Sequence, residues 1–193
     1  MSRTVGSTNK KTELPDEYKN IKHVVLEEID PDYILFEDGR VFSKKIGDFK
    51  TITISKGYKM YTMNRTSFDI DFLIRKYFKS EDIIKEGGFV PIKDFDGYMI
   101  NKEGQLYSVK YHTVISTLAR TNTGWPIVCL MKDCKQHTKY VAKLVYNTFV
   151  GEIPEGYRLK FKNGRKSDCR LENLELEKIA SHVKKQNNNN IEE

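Results

Sequence analysis

The chain has 193 residues, 38% hydrophobic and 31% charged, with 33 Lys+Arg against 27 Asp+Glu and a formal net charge of +6. That length supports one ordinary domain or two small ones, and the composition excludes a low-hydrophobicity disordered chain. The basic excess favours a polyanionic partner, because each phosphate neutralised releases counterions.

The three cysteines, Cys129, Cys134 and Cys169, contain no Cys-x-x-Cys pair. Cys134 with His137 lacks a second ligand pair, so neither a disulfide framework nor a zinc site is expected. No apolar run approaches the roughly 20 residues of a membrane span. The N-terminus lacks the hydrophobic core of a signal peptide. The expectation is an intracellular protein with no membrane partner, working in the cytoplasm, the nucleus or a virion.

Residues 1–20 are polar and are expected to form a flexible tail. A first unit follows over 21–80. Val24, Val25, Leu26 and Ile29 precede a turn at Asp30-Pro31. Tyr33 to Ser43 then reads as a hairpin around Glu37-Asp38-Gly39, since a primed turn needs φ > 0. Thr51 to Ile54 and Tyr58 to Met63 form a second hairpin around Ser55-Lys56-Gly57. Phe68, Phe72, Leu73 and Tyr77 fall at helical spacing and predict a helix over 68–78 that ends near Ser80. Residues 81–90 read as a linker, with Ser80 capping one short helical turn and Gly87-Gly88 ending it.

The pattern then repeats over 91–150. GYMINKEGQLYS, Gly97 to Ser108, aligns without a gap on DYILFEDGRVFS. Tyr33 answers Tyr98, Gly39 answers Gly104 and Ser43 answers Ser108. Phe72 to Phe78 answers Lys143 to Phe149. This order predicts an internal duplication. Beyond it, Pro154 and Gly156 break the helix and Arg158 to Lys162 is strand-like. Leu171 to about Ala180 reads as helical, and residues 181–193, with four consecutive Asn, read as a disordered tail.

GYMINKEGQLYSVK resembles the NUMOD4 motif that accompanies HNH homing endonucleases of phages and large DNA viruses. KYVAKLVYNTFVGEIPEGYRLKFKNGRKSDCRLENLEL is similar to the HNH domain that follows it. The resemblance covers about Pro91 to Leu176, and its most specific piece is Arg170-Leu171-Glu172-Asn173-Leu174-Glu175. The implied fold class is α+β: two β-hairpin/helix repeat units followed by a degenerate HNH ββα core over 151–180.

An HNH site needs oxygen or nitrogen ligands for one divalent metal, commonly Mg²⁺. It also needs a His to deprotonate the attacking water and a loop Asn to polarise that His. Aligned from RLENLE, the resemblance puts the base at Phe161, the adjacent ligand at Lys160, the loop Asn at Asp168 and the helix ligand at Asn173. The Asp that often follows the base is Asn163, and the His of "VHRLV" is Ala142. Phe161 cannot take a proton, and Lys160 repels a dication. No catalytic residue is therefore assigned. Asn173 is a weak metal candidate and reads better as a structural residue bonding the loop backbone. No cofactor is expected, and Mg²⁺ enters only if cleavage persists.

What survives is scaffold and charge. Lys160, Lys162, Arg165, Lys166 and Arg170 form a basic surface suited to phosphate contact. Trp125 is expected to be buried rather than stacked on a base. The reading is a non-catalytic nucleic-acid-binding protein of HNH ancestry, with DNA the favoured partner. Two alternatives stand beside it: a Mg²⁺-dependent nuclease or nickase with a rearranged site, and a viral structural, assembly or ribonucleoprotein component.

Overall fold

The computed structural model describes residues 12–115 and 119–179. The expected disordered C-terminal tail, with His182 and the Lys184-Lys185 pair, lies outside the described residues, as does most of the expected N-terminal one. The fold is mixed α and β, with several small antiparallel sheets and few helices, in two compact units. One runs through Gly87 and includes Ser108–Thr113; the other comprises Gly88–Tyr107 and the chain from Val114 on. Among the described residues no helix is long and apolar enough to cross a membrane.

The first unit opens with the short helix α1 (Asp16–Lys19). A meander follows, β1 (His23–Val25), β2 (Tyr33–Phe36), β3 (Val41–Ser43) and β4 (Asp48–Phe49), hydrogen-bonded in that order. All four residues of β2 are buried, and their alternation explains why. Tyr33 and Leu35 join a core with Leu26, Val41, Tyr61, Met63 and Leu73. Ile34 and Phe36 join a second cluster with Leu14 and Phe42. Successive side chains of a strand point to opposite faces, so β2 is covered on both sides. Leu14 is only 8% exposed, and the Thr12 amide donates to the Lys44 carbonyl. The expected tail thus stops short of residue 12, because Leu14 supplies a core side chain.

Three strands follow, β5 (Thr53–Ser55), β6 (Tyr58–Met63) and β7 (Thr66–Asp69). The turns at Lys56-Gly57 and Asn64-Arg65 have positive φ at both central residues, the primed geometry that suits hairpin twist. The helix expected from Phe68 instead begins as α2 (Ile70–Ile74), because Phe68 and Asp69 pair with Tyr61 and Met60 in the sheet. Asp69 caps it, accepting from the Phe72 amide at 2.9 Å. The chain then passes through a π turn (Arg75–Lys79) into α3 (Ser80–Glu86). The expected stop near Ser80 does not occur: Ser80 lies inside the helical run, its hydroxyl donating to the Lys76 carbonyl. The expected linker is therefore mostly helix, and the break falls at Gly87-Gly88.

The second unit opens on a four-stranded meander. β8 (Val90–Pro91), β9 (Tyr98–Ile100), β10 (Leu106–Ser108) and β11 (Thr113–Ile115) form a second meander. The hairpin β12 (Ile127–Lys132) and β13 (Lys135–Tyr140) leads into α4 (Val141–Phe149), which buries Val141, Ala142, Leu144 and Val145 on one face. β14 (Tyr157–Phe161) and β15 (Leu174–Lys178) close the described chain as an antiparallel pair.

The helix expected over 171–180 is absent from its described part. A 3₁₀ turn at Leu171–Asn173 runs directly into β15, whose Leu174 and Leu176 face Phe161 and Leu159. Cross-strand pairing overrides the weak helical spacing here. Nor is the C-terminal hairpin a separate body. Leu159, Phe161, Cys169 and Leu174 share one core with Ile92, Ile100, Leu106, Leu130 and Val145.

The two glycine turns are built alike. In one, the Gly39 amide donates to Phe36 and the Phe36 amide to Arg40; in the other, Gly104 donates to Asn101 and Asn101 to Gln105. Gly39 has φ +89° and Gly104 φ +80°. A Cβ on Gly39 would sit 3.1 Å from Ile70, and one on Gly104 3.5 Å from Val141, the first residues of α2 and α4. At Gly104 it would also meet the Cys169 Cβ at 3.2 Å. Gly57, at φ +84°, has open space around it. Gly104→Ala is expected to cost about 1–3 kcal/mol, measured by denaturant unfolding, and more than Gly57→Ala, which bears only the backbone strain. Equal costs would contradict the close-approach role of Gly104.

Candidate nucleic-acid interface and the HNH-like strand

The residues singled out for chemistry lie on β14, on the loop 162–170 and at the start of β15. Alternation along β14 decides where each one points. Leu159 and Phe161 face the core, and Lys160 faces out. Phe161 is 7% exposed, and its ring centroid lies 5.0 Å from that of Trp125, edge to face. Trp125 also meets Tyr140 at 5.7 Å and is partly buried against the core, as its sequence context suggested.

Lys160 sits beside two carboxylates of the paired strand, Glu175 at 3.4 Å and Glu177 at 3.8 Å. Glu177 also takes Arg158, which holds its carboxyl below the usual range.

The loop is held by one buried amide. Asn173 is 6% exposed; its Oδ1 accepts from the Asn163 amide at 3.0 Å, and its Nδ2 donates to the Asp168 carbonyl at 2.8 Å. The Leu171 amide donates to the Lys102 carbonyl at 2.8 Å, and Cys169 lies against Gly104, so the loop is also tied to the glycine turn. Burial pushes the Cys169 thiol up to about 11, a packing thiol rather than a reactive one.

Asp168 is gripped by a fork from Arg170, Nε to Oδ1 and Nη2 to Oδ2, both at 2.8 Å. Asn163 Nδ2 donates to it as well. The Arg170 guanidinium, first among these, holds the Asp168 carboxyl well below the ordinary carboxylate range.

The five expected phosphate contacts divide. Arg170 is shared between Asp168 and Glu172, and Lys160 between Glu175 and Glu177. Lys162 donates to the Glu172 carbonyl at 2.7 Å, and Lys166 to the Thr123 carbonyl at 3.2 Å, over the Trp125 ring. Neither has a carboxylate partner among the described residues, and neither has Arg165. The positive face of the loop is thus Lys162, Arg165 and Lys166. Sequence reasoning could not see that the acidic residues of β15 and Glu172 fall opposite the other two cations.

Residues 139–184 match a family model described as HNH endonuclease. The C-terminal part of the chain is HNH endonuclease-like. An uncharacterized HNH endonuclease of Acanthamoeba polyphaga mimivirus is 29% identical over 143 residues, spanning 68% of this chain but only 36% of its own length. The chain therefore corresponds to about a third of that relative. A solved structure titled for DNA binding and cleavage by the HNH homing endonuclease I-HmuI is 26% identical, with a TM-score of 0.43, over 47% of this chain and 52% of that one.

The family resemblance implies a divalent metal. A Mg²⁺ site needs several oxygen ligands free to turn toward the ion. Here the loop's one carboxylate is held by Arg170, the Asn173 oxygen is used by a backbone amide, and position 160 carries a cation. No group of three His, Cys, Asp or Glu among the described residues is placed to hold a metal ion. His137 sits in β13 with its ring against Phe95. These side chains do not fit the ion.

Asn173→Ala is expected to lower stability by about 1–3 kcal/mol in denaturant unfolding, because it orphans two backbone groups. Adding Mg²⁺ is expected to leave the Tm of the unaltered chain unmoved. A Mg²⁺-dependent rise in Tm that disappears in Asn173→Ala would instead make Asn173 a ligand.

Proposed function

We propose that this chain is a nucleic-acid-binding protein of HNH endonuclease ancestry whose HNH-like strand no longer cuts. The observation that carries the proposal is Phe161. At the position that the resemblance gives to the general base, its ring lies in the core against Trp125. A general base must reach within about 3 Å of the water it activates, and no group on this ring can accept a proton. Beside it, Lys160 is engaged with Glu175 and Glu177 where a metal ligand would stand.

DNA is the favoured partner. The net charge of +6, the uncompensated Lys162, Arg165 and Lys166, and the similarity to proteins named as HNH endonucleases all support it. Such a ligand would place the protein in a cytoplasm, a nucleus or a virion.

The first unit would be a duplicate of the NUMOD4-like front of the second. The matched hydrogen bonds of the Gly39 and Gly104 turns, and their shared seat against the first residue of the following helix, support this. Two linked modules on one polymer would raise the effective local concentration of each.

The test is one gel series with supercoiled plasmid, duplex and single strands, with and without Mg²⁺. The expected result is salt-sensitive binding and an uncut plasmid in both conditions. Nicking that EDTA abolishes would overturn the non-catalytic reading. A chain that binds none of these at low ionic strength would overturn the nucleic-acid reading.

A further inference from the structure

The hairpin of β5 and β6 extends beyond the core of its unit. Every residue from Thr51 to Lys59 is exposed, so both faces of this two-stranded ribbon stand in solvent. Ile54 is 77% exposed and Tyr58 61%. The register pairs Ile54 with Lys59 and Ser55 with Tyr58. Two residues beyond Lys59, Tyr61 is fully covered. The ribbon is therefore a continuation of β6 past the edge of its core. β7 pairs only with Met60 to Met63 of β6, so this end of the three-stranded sheet has two strands, and exposed apolar side chains at its tip add nothing to folding.

Charge points to what covers it. Between Asp48 and Asp69 the chain carries Lys50, Lys56, Lys59 and Arg65 and no acidic residue. None of these four cations forms an ion pair among the described residues, in contrast to Lys160 and Arg170. Thr51, Thr53 and Ser55 add hydroxyls beside them. The surface is thus basic and hydroxyl-rich, with one aromatic side chain, Tyr58, and two aliphatic ones, Ile52 and Ile54, leading to a primed turn.

We infer that the β5–β6 hairpin is a DNA-contacting ribbon that enters the major groove of a B-form duplex. This rests on the nucleic-acid reading above and names the surface that serves it. A two-stranded ribbon fits the B-DNA major groove, whereas the major groove of A-form RNA is too narrow for side chains to read. Lys56 and Lys59 meet phosphates at the groove edge. Ile54, on the face it shares with Lys59, meets base edges, where a thymine methyl is the apolar target, and Tyr58, on the opposite face with Ser55, lies against the sugar-phosphate wall of the groove.

The experiment uses the full chain with a fluorescent mixed-sequence DNA duplex and an RNA duplex of the same sequence, titrated over a series of salt concentrations. The paired change Lys56→Gln with Lys59→Gln is expected to weaken DNA binding at least about 10-fold at low salt and to lower the salt slope by about 1.8. Ile54→Ser with Tyr58→Ser is expected to weaken DNA binding with the slope unchanged. All four side chains lie in solvent, so the circular dichroism spectrum should not move. If the chain binds DNA while both paired variants keep full affinity and slope, this inference fails and the nucleic-acid reading stands. Equal or tighter binding to the RNA duplex overturns the groove assignment. Binding to neither duplex overturns both readings.

Discussion

The edge-to-face packing of Phe161 on Trp125 is the contact on which the C-terminal half depends. It fixes which face of β14 is inside, and through the two-residue alternation of a strand it fixes that Lys160 is outside. Pairing with β15 then places Leu174 opposite Phe161 and Glu175 opposite Lys160. The apolar pair enters the shared core, and the charged pair lies in solvent. A strand that could have presented a base and a metal ligand presents a core ring and a neutralised cation instead.

The loop that follows is as ordered as its setting demands. Asn173 satisfies two backbone groups from the core side, and the Gly104 turn packs against Cys169 from the other. Only one of its cations, Arg170, is balanced by carboxylates. Asp168, Arg170 and Glu172 form a chain of ion pairs, which orders side chains more than it stabilises the exposed fold. The uncompensated positive charge lies on the same loop's Lys162, Arg165 and Lys166, and on the β5–β6 hairpin of the other unit. The distribution of unpaired cations, rather than their number, is what a polyanion would read.

Much of this was legible in the sequence because it rests on local chemistry. Asp38-Gly39 and Glu103-Gly104 announce hairpins through the φ > 0 requirement, and both hairpins stand where the turns place them. The β14 strand and the structural role of Asn173 followed from the family pattern and from the amide's ability to bond the loop backbone. What escaped was set by tertiary pairing. Leu171 to Ile179 has helical spacing, yet the residues from Leu174 become a strand because β14 offers an unpaired edge. Asn64-Arg65 is not a strong turn pair, yet it reverses the chain at positive φ because Tyr61 and Phe68 meet across it. The ion pairs of Lys160 were hidden for the same reason: Glu175 and Glu177 come opposite it only through the strand register.

The central claim is that position 161 has been given over to packing. Phe161→His puts back the residue type that an HNH base requires, so the unfolding free energy of that variant, read beside plasmid nicking in Mg²⁺, tests the claim most directly. The account predicts a loss of about 2–4 kcal/mol, from the missing aromatic contact and the buried imidazole, with the plasmid left intact. A Phe161→His chain as stable as the original, and able to nick plasmid in Mg²⁺, would contradict it.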